Sequence, residues 1–95
     1  MTDSERDKLF EYETLLNGLL SGLMDPKSFQ IRFLTAFRED PNLWTGEPYT
    51  VLEALFEEVD AYEPDPSIRD KDTIDEVQLR KAVEFAALKV GTMIR

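Results

Sequence analysis

A chain of 95 residues with 42% hydrophobic side chains is long enough to close one core and too short for a second lobe. It holds no Cys and no His, which removes disulfides, thiolate ligands, the usual general base and the commonest metal ligand, and so most catalytic chemistry. Twenty acids against eleven bases leave a formal charge of −9, a field that repels nucleic-acid phosphate and anionic membrane surfaces, draws in basic partners, and also serves plain solubility.

The motif Thr2-x-x-Glu5 has capping-box form and predicts a first helix starting at Thr2 to Ser4, with Leu9, Leu16, Leu19, Leu20 and Leu23 at helical spacing. Gly18 and Gly22 weaken its far half, which places its end between Ser21 and Met24. A second helix opens on Asp25 as cap and Pro26 in the first position, with Met24 placed to staple to Phe29. Its apolar face is Phe29, Phe33, Leu34 and Phe37, and it stops before Pro41 because the residue ahead of a proline is pushed out of helical geometry.

Asp40 to Tyr49 contains two prolines and a glycine and reads as a loop; Pro48 then restarts a third helix carrying Val51, Leu52, Leu55, Phe56 and Val59, which ends by Glu63. Trp44 and Tyr49 are expected to fold over a core edge rather than anchor an interface. The segment Glu63 to Ile74 reads EPDPSIRDKDTI, with no apolar period, and is a surface loop. The fourth helix starts on Asp75 as cap with Gln78 closing a capping box; Ile74 can staple to Leu79, and Val77, Ala82, Val83, Ala86, Val90 and Met93 are its apolar positions.

Four amphipathic segments and no run of alternating β-branched residues predict an all-α fold, an antiparallel four-helix bundle forming a single domain over residues 1–95. At helical spacing Phe29, Phe33, Phe37 and Phe56 are core rather than the lining of a cofactor pocket. No run of about 18 apolar residues exists and Met1 to Lys8 lacks the order of a signal peptide, so a cytoplasmic protein is expected, with no membrane partner.

The informative stretch is Glu57 to Glu76, where nine acids face only Arg69 and Lys71 for a net charge of −7. Asp65 to Glu76 has the length of a calcium-binding EF-hand loop, but Arg69 stands where a ligand belongs and Asp70 where the sharp turn needs glycine. Paired carboxylates acting as acid and base need an apolar pocket to split their pKa values, and a charged, proline-bearing loop offers none. A surface that presents carboxylates to a basic cleft fits best, its prolines limiting the entropy lost on binding. Helical spacing puts Glu57 and Asp60 on neighbouring parts of one face, running toward Glu63 and Asp65. Tyr62 stands in the middle, its hydroxyl able to reach a partner while its ring packs under the loop.

Leu55-Phe56, then Asp60-Ala61-Tyr62-Glu63-Pro64-Asp65, a short charged stretch, and Ile74-Asp75 ahead of Leu79 together resemble the colicin D immunity family, the bacterial self-protective colicin-like immunity proteins. The resemblance covers about Leu52 to Val83, its most specific element being aromatic-Glu-Pro-Asp after an amphipathic helix. It implies a helical bundle that binds the C-terminal domain of a cognate toxin, a tRNase or other nuclease, and covers its basic active site in place of RNA phosphates. It further implies that Asp60 faces the toxin's catalytic basic residues, with Glu63 and Asp65 as motif acids beside it. Glu57, Glu58, Asp70 and Asp72 join the candidate surface on charge and proximity. No cofactor or metal is implied, direct nucleic-acid binding is not expected, and a monomer forming a 1:1 complex suffices. An acidic helical adaptor or regulatory subunit for some other basic protein is the alternative reading of the same charge.

Overall fold

The computed structural model describes residues 1–95 and contains the four expected helices: α1 Asp3–Leu20, α2 Pro26–Arg38, α3 Gly46–Ala61 and α4 Glu76–Ile94, with a 3-10 turn at Pro66–Ile68. Each helix packs on the next and α4 closes back on α1, the cyclic order of a four-helix bundle. Two arginines tie α1 and α4 head to tail. Arg6 Nη2 donates to the Ile94 carbonyl at 2.9 Å and Arg80 Nη1 to the Leu19 carbonyl at 3.0 Å, each serving a helix end whose carbonyls have no helical partner.

The helix starts are local chemistry. Thr2 accepts from the Glu5 N–H while Glu5 accepts from the Thr2 N–H, and Asp75 and Gln78 make the same reciprocal box at α4. Asp25 accepts from both the N–H and the hydroxyl of Ser28 at 2.9 Å, with Pro26 just inside α2.

Four expectations are corrected. Gly22 sits at φ +83°, a left-handed turn open to glycine; α1 therefore stops at Leu20, and Leu23, expected on its apolar face, is 89% exposed. Helix α3 begins at Gly46 rather than at Pro48. Pro48 costs no hydrogen bond there, because the first four N–H groups of a helix are free in any case. Tyr49, turned away from the stripe of Val51, Leu52, Leu55 and Val59, is then 42% exposed instead of folding over the core. On α4 the buried row is Leu79, Val83, Ala86, Val90 and Ile94. Val77 lies on the opposite side at 100° per residue and is 61% exposed.

Tyr12, Leu16, Phe29, Phe33, Leu52, Val59 and Val83 are fully buried in one core, with Phe37, Phe56 and Ile74 packed against its rim. The Tyr12 ring lies 5.7 Å from Phe33 and 6.4 Å from both Phe37 and Trp44. Trp44 is buried as expected, and the reason is Asp40. This carboxylate accepts from the Tyr12 hydroxyl at 2.6 Å, the Trp44 indole N–H at 2.7 Å, and the Asn42 N–H and side-chain amide at 2.9 Å. Burial pushes Asp40 up, but the bonds from Tyr12, Asn42 and Trp44 outweigh it and hold the carboxyl below its ordinary range. Burial, reinforced by Asp40, drives the Tyr12 hydroxyl strongly upward. One carboxylate thus fastens the α2–α3 connection to α1.

Candidate functional site

The surface begins where α3 ends. Gln30 is the one buried polar residue of the chain, 8% exposed, and its amide Nε2 donates to the Val59 carbonyl at 3.0 Å and the Tyr62 carbonyl at 2.9 Å. Those carbonyls belong to the last turn and cap of α3, groups that a helix leaves unpaired. A side chain from α2 therefore caps the end of α3 and ties the departing chain to α2.

Beyond the cap, the chain is closed into a loop. Ile74 N–H donates to the Ala61 carbonyl at 2.9 Å and Glu63 N–H to the Ile74 carbonyl at 3.1 Å, forming a parallel bridge between Tyr62 and Ile74. Inside the loop Arg69 donates from Nε to the Glu63 carbonyl at 2.7 Å and from Nη2 to the Pro64 carbonyl at 3.3 Å. Its guanidinium is thus spent on backbone carbonyls and forms no salt bridge with a carboxylate.

The predicted residues fall into three settings. Glu57, Glu58 and Asp60 are exposed on the last turns of α3. Asp60 has Arg38 at 3.8 Å, with both side chains more than half exposed, a geometry worth little in water. The half-buried Glu63 and the exposed Asp65 and Asp70 all serve the loop. The Glu63 carboxylate accepts from the Asp65 N–H at 3.0 Å; Asp65 accepts from the Ser67 N–H at 2.9 Å and its hydroxyl at 2.8 Å; Asp70 accepts from the Asp72 N–H at 2.8 Å. The Ser67 N–H, then its hydroxyl, hold Asp65 below the usual carboxylate range, the opposite direction from a general acid at neutral pH. Asp72 is exposed at the loop's far turn. Tyr62 is buried: its ring belongs to the core cluster at 7% exposure, and burial, then the charge of Glu76, push its hydroxyl upward. No three carboxylates converge at metal-ligand spacing.

Electrostatically the arrangement works against the helix that carries it. The last turn of α3 holds no base, while Glu58 and Asp60 sit there, at the negative end of the helix dipole. Acids at that end are unfavourable by roughly 0.3–1 kcal/mol each at low salt. Folding alone would favour Lys or Arg at these positions.

Two residues central to this surface were not legible as such in the sequence. Gln30 lies one residue after Phe29 and four before Leu34, so a polar side chain on an apolar stripe was the available signal. Arg69 looked like a minority charge in an acidic loop, and only the fold reveals it as a brace.

Residues 8–89 match the family described as bacterial self-protective colicin-like immunity. No curated protein and no solved structure shows a significant match. No helix is long and apolar enough to cross a membrane.

Proposed function

The chain belongs to the bacterial self-protective colicin-like immunity family, and from that premise we propose that it neutralises a colicin-like nuclease toxin by laying its acidic surface over the toxin's basic active site, without catalysing any reaction. The observation that carries this reading is the concentration of nine acids against two bases between Glu57 and Glu76, seven of them exposed along the end of α3, the loop after it and the first residue of α4. Their carboxylates take the places of RNA phosphates, accepting charge-assisted hydrogen bonds from Lys and Arg of the toxin. Asp60 stands at the centre, with Glu57 and Glu58 on one side and Glu63, Asp65, Asp70 and Asp72 along the loop. Tyr62 supports them from beneath.

Placement of the acids at the unfavourable end of α3 supports the same reading, since such local conflicts are retained where function requires them. The braced loop supports it too, because a surface already ordered loses less entropy on binding. The protein acts in the cytoplasm as a monomer, 1:1 with the toxin's C-terminal domain.

The test is binding and growth rescue against the C-terminal domain of the toxin encoded beside this gene, over a salt series. Rescue, with association that slows steeply as salt rises, is the expected result. A domain that is neither bound nor neutralised refutes the proposal. Salt-insensitive rescue retains immunity but removes the acidic surface as its cause.

A further inference from the structure

Glu58 faces two ways. It belongs to the acidic surface, and it also lines an open groove of about 460 Å³ between α3 and α4. The groove exists because Ala54, Ala82 and Ala86 put single methyl groups where the two helices face each other. Its outer wall on α4 is Phe85, 61% exposed, a large apolar side chain that the bundle's own core does not use.

We propose that this groove is the apolar half of the toxin interface: it receives an aliphatic or aromatic side chain of the toxin domain whose neighbouring Lys or Arg pairs with Glu58. The inference rests on the immunity reading above and adds what supplies the affinity. Exposed carboxylates steer encounter and fix register, whereas residence time comes from a few desolvated apolar anchors. The occupant's chemistry follows from charge complementarity and from continuity. A basic segment seated on Glu57, Glu58 and Asp60 passes into the groove without crossing any other element, because one wall of the groove is the same helix. Lys81 on the α4 side places the cation of the occupant on the α3 side, next to Glu58.

A second groove, between α1 and α2, provides the internal control. It is larger, about 610 Å³, and is lined by Leu15, Ile31 and Ala36, yet no residue of the acidic segment borders it. An interface that spreads from the acidic surface uses the first groove and leaves the second empty.

The experiment measures association and dissociation rates of the toxin's C-terminal domain on the wild-type chain and on Phe85→Ala, Ala82→Trp, Ile31→Ser and Asp60→Lys, with circular dichroism and sedimentation of each variant. Phe85→Ala, which alters an exposed ring, and Ala82→Trp, which fills the groove, are expected to raise the dissociation rate roughly 10-fold or more with little change in association. Ile31→Ser is expected to behave as wild type, and Asp60→Lys to slow association. Wild-type dissociation in folded Phe85→Ala, with Asp60→Lys still slowed, overturns the groove and leaves the immunity reading standing. A wild-type chain that binds no toxin fails the immunity reading itself. A wild-type dimer that Phe85→Ala dissociates assigns the groove to a second copy and also overturns the proposal.

Discussion

Replacing Gln30 with leucine keeps the volume of the side chain and removes its amide. The Tyr62 carbonyl then loses the only donor it has, which leaves a buried acceptor unsatisfied at roughly 1–3 kcal/mol. The Val59 carbonyl keeps the Tyr62 N–H at 3.2 Å and loses only its second bond from Gln30, about 0.5–1.5 kcal/mol. Some of this is returned by burying leucine in place of an amide, so the expected net loss is about 2–3 kcal/mol. Urea unfolding followed by the single tryptophan, Trp44, reads that loss as a lower midpoint at unchanged slope. Amide exchange gives the location: the Glu63 and Ile74 N–H groups, which form the neck next to Tyr62, are expected to exchange faster in the variant than the α1–α4 amides. A stability change below about 0.5 kcal/mol, or uniform exchange with no bias toward the neck, would refute Gln30 as the cap at the end of α3.

Three further outcomes are expected. Asp40 has a depressed pKa in the folded protein, so its contribution is present above the unfolded value of about 3.9 and is lost as pH falls through the lower folded value. Asp40→Asn should therefore lower the melting temperature at pH 7 and flatten the acid slope below about pH 4, measured by thermal melts; an unchanged slope contradicts the assignment. Glu58→Gln and Asp60→Asn should each stabilise the free protein by up to about 1 kcal/mol at low salt while weakening toxin binding, and a destabilised variant would show that the dipole does not govern this end of α3. Arg69→Met makes the loop more acidic yet unbraced, and it should weaken toxin binding roughly three- to tenfold with the bundle's melting temperature unchanged; tighter binding would mean that charge alone, rather than charge held in place, is what the toxin recognises.

What the sequence made readable was whatever is settled within a few residues. The boxes Thr2/Glu5 and Asp75/Gln78 and the pair Asp25-Pro26 are complete local instructions, and those three helices start where such motifs put them. The start of α3 was misplaced because Pro48 suits the third helical position as well as the first, and Tyr49 was misplaced with it. The acidic surface was visible as charge, but its internal division was not. That Glu63, Asp65 and Asp70 double as turn acceptors, while Glu57, Glu58 and Asp72 stay on the solvated side, depends on backbone positions that no spacing rule supplies. The contributions of Gln30, Asp40 and Arg69 are donor and acceptor matches between segments, and composition is silent about partners up to 32 residues apart.

The bridge between Tyr62 and Ile74 gives the chain a modular joint. Because the two bonds at the neck close the loop at its root, the ten residues from 64 to 73 hang from the bundle, all but Thr73 exposed. Rewriting that stretch is expected to leave the helices beneath with their geometry. A foreign peptide grafted between Glu63 and Ile74 is therefore expected to leave the bundle folded, because the backbone groups that close the neck, on Ala61, Glu63 and Ile74, all lie outside the graft.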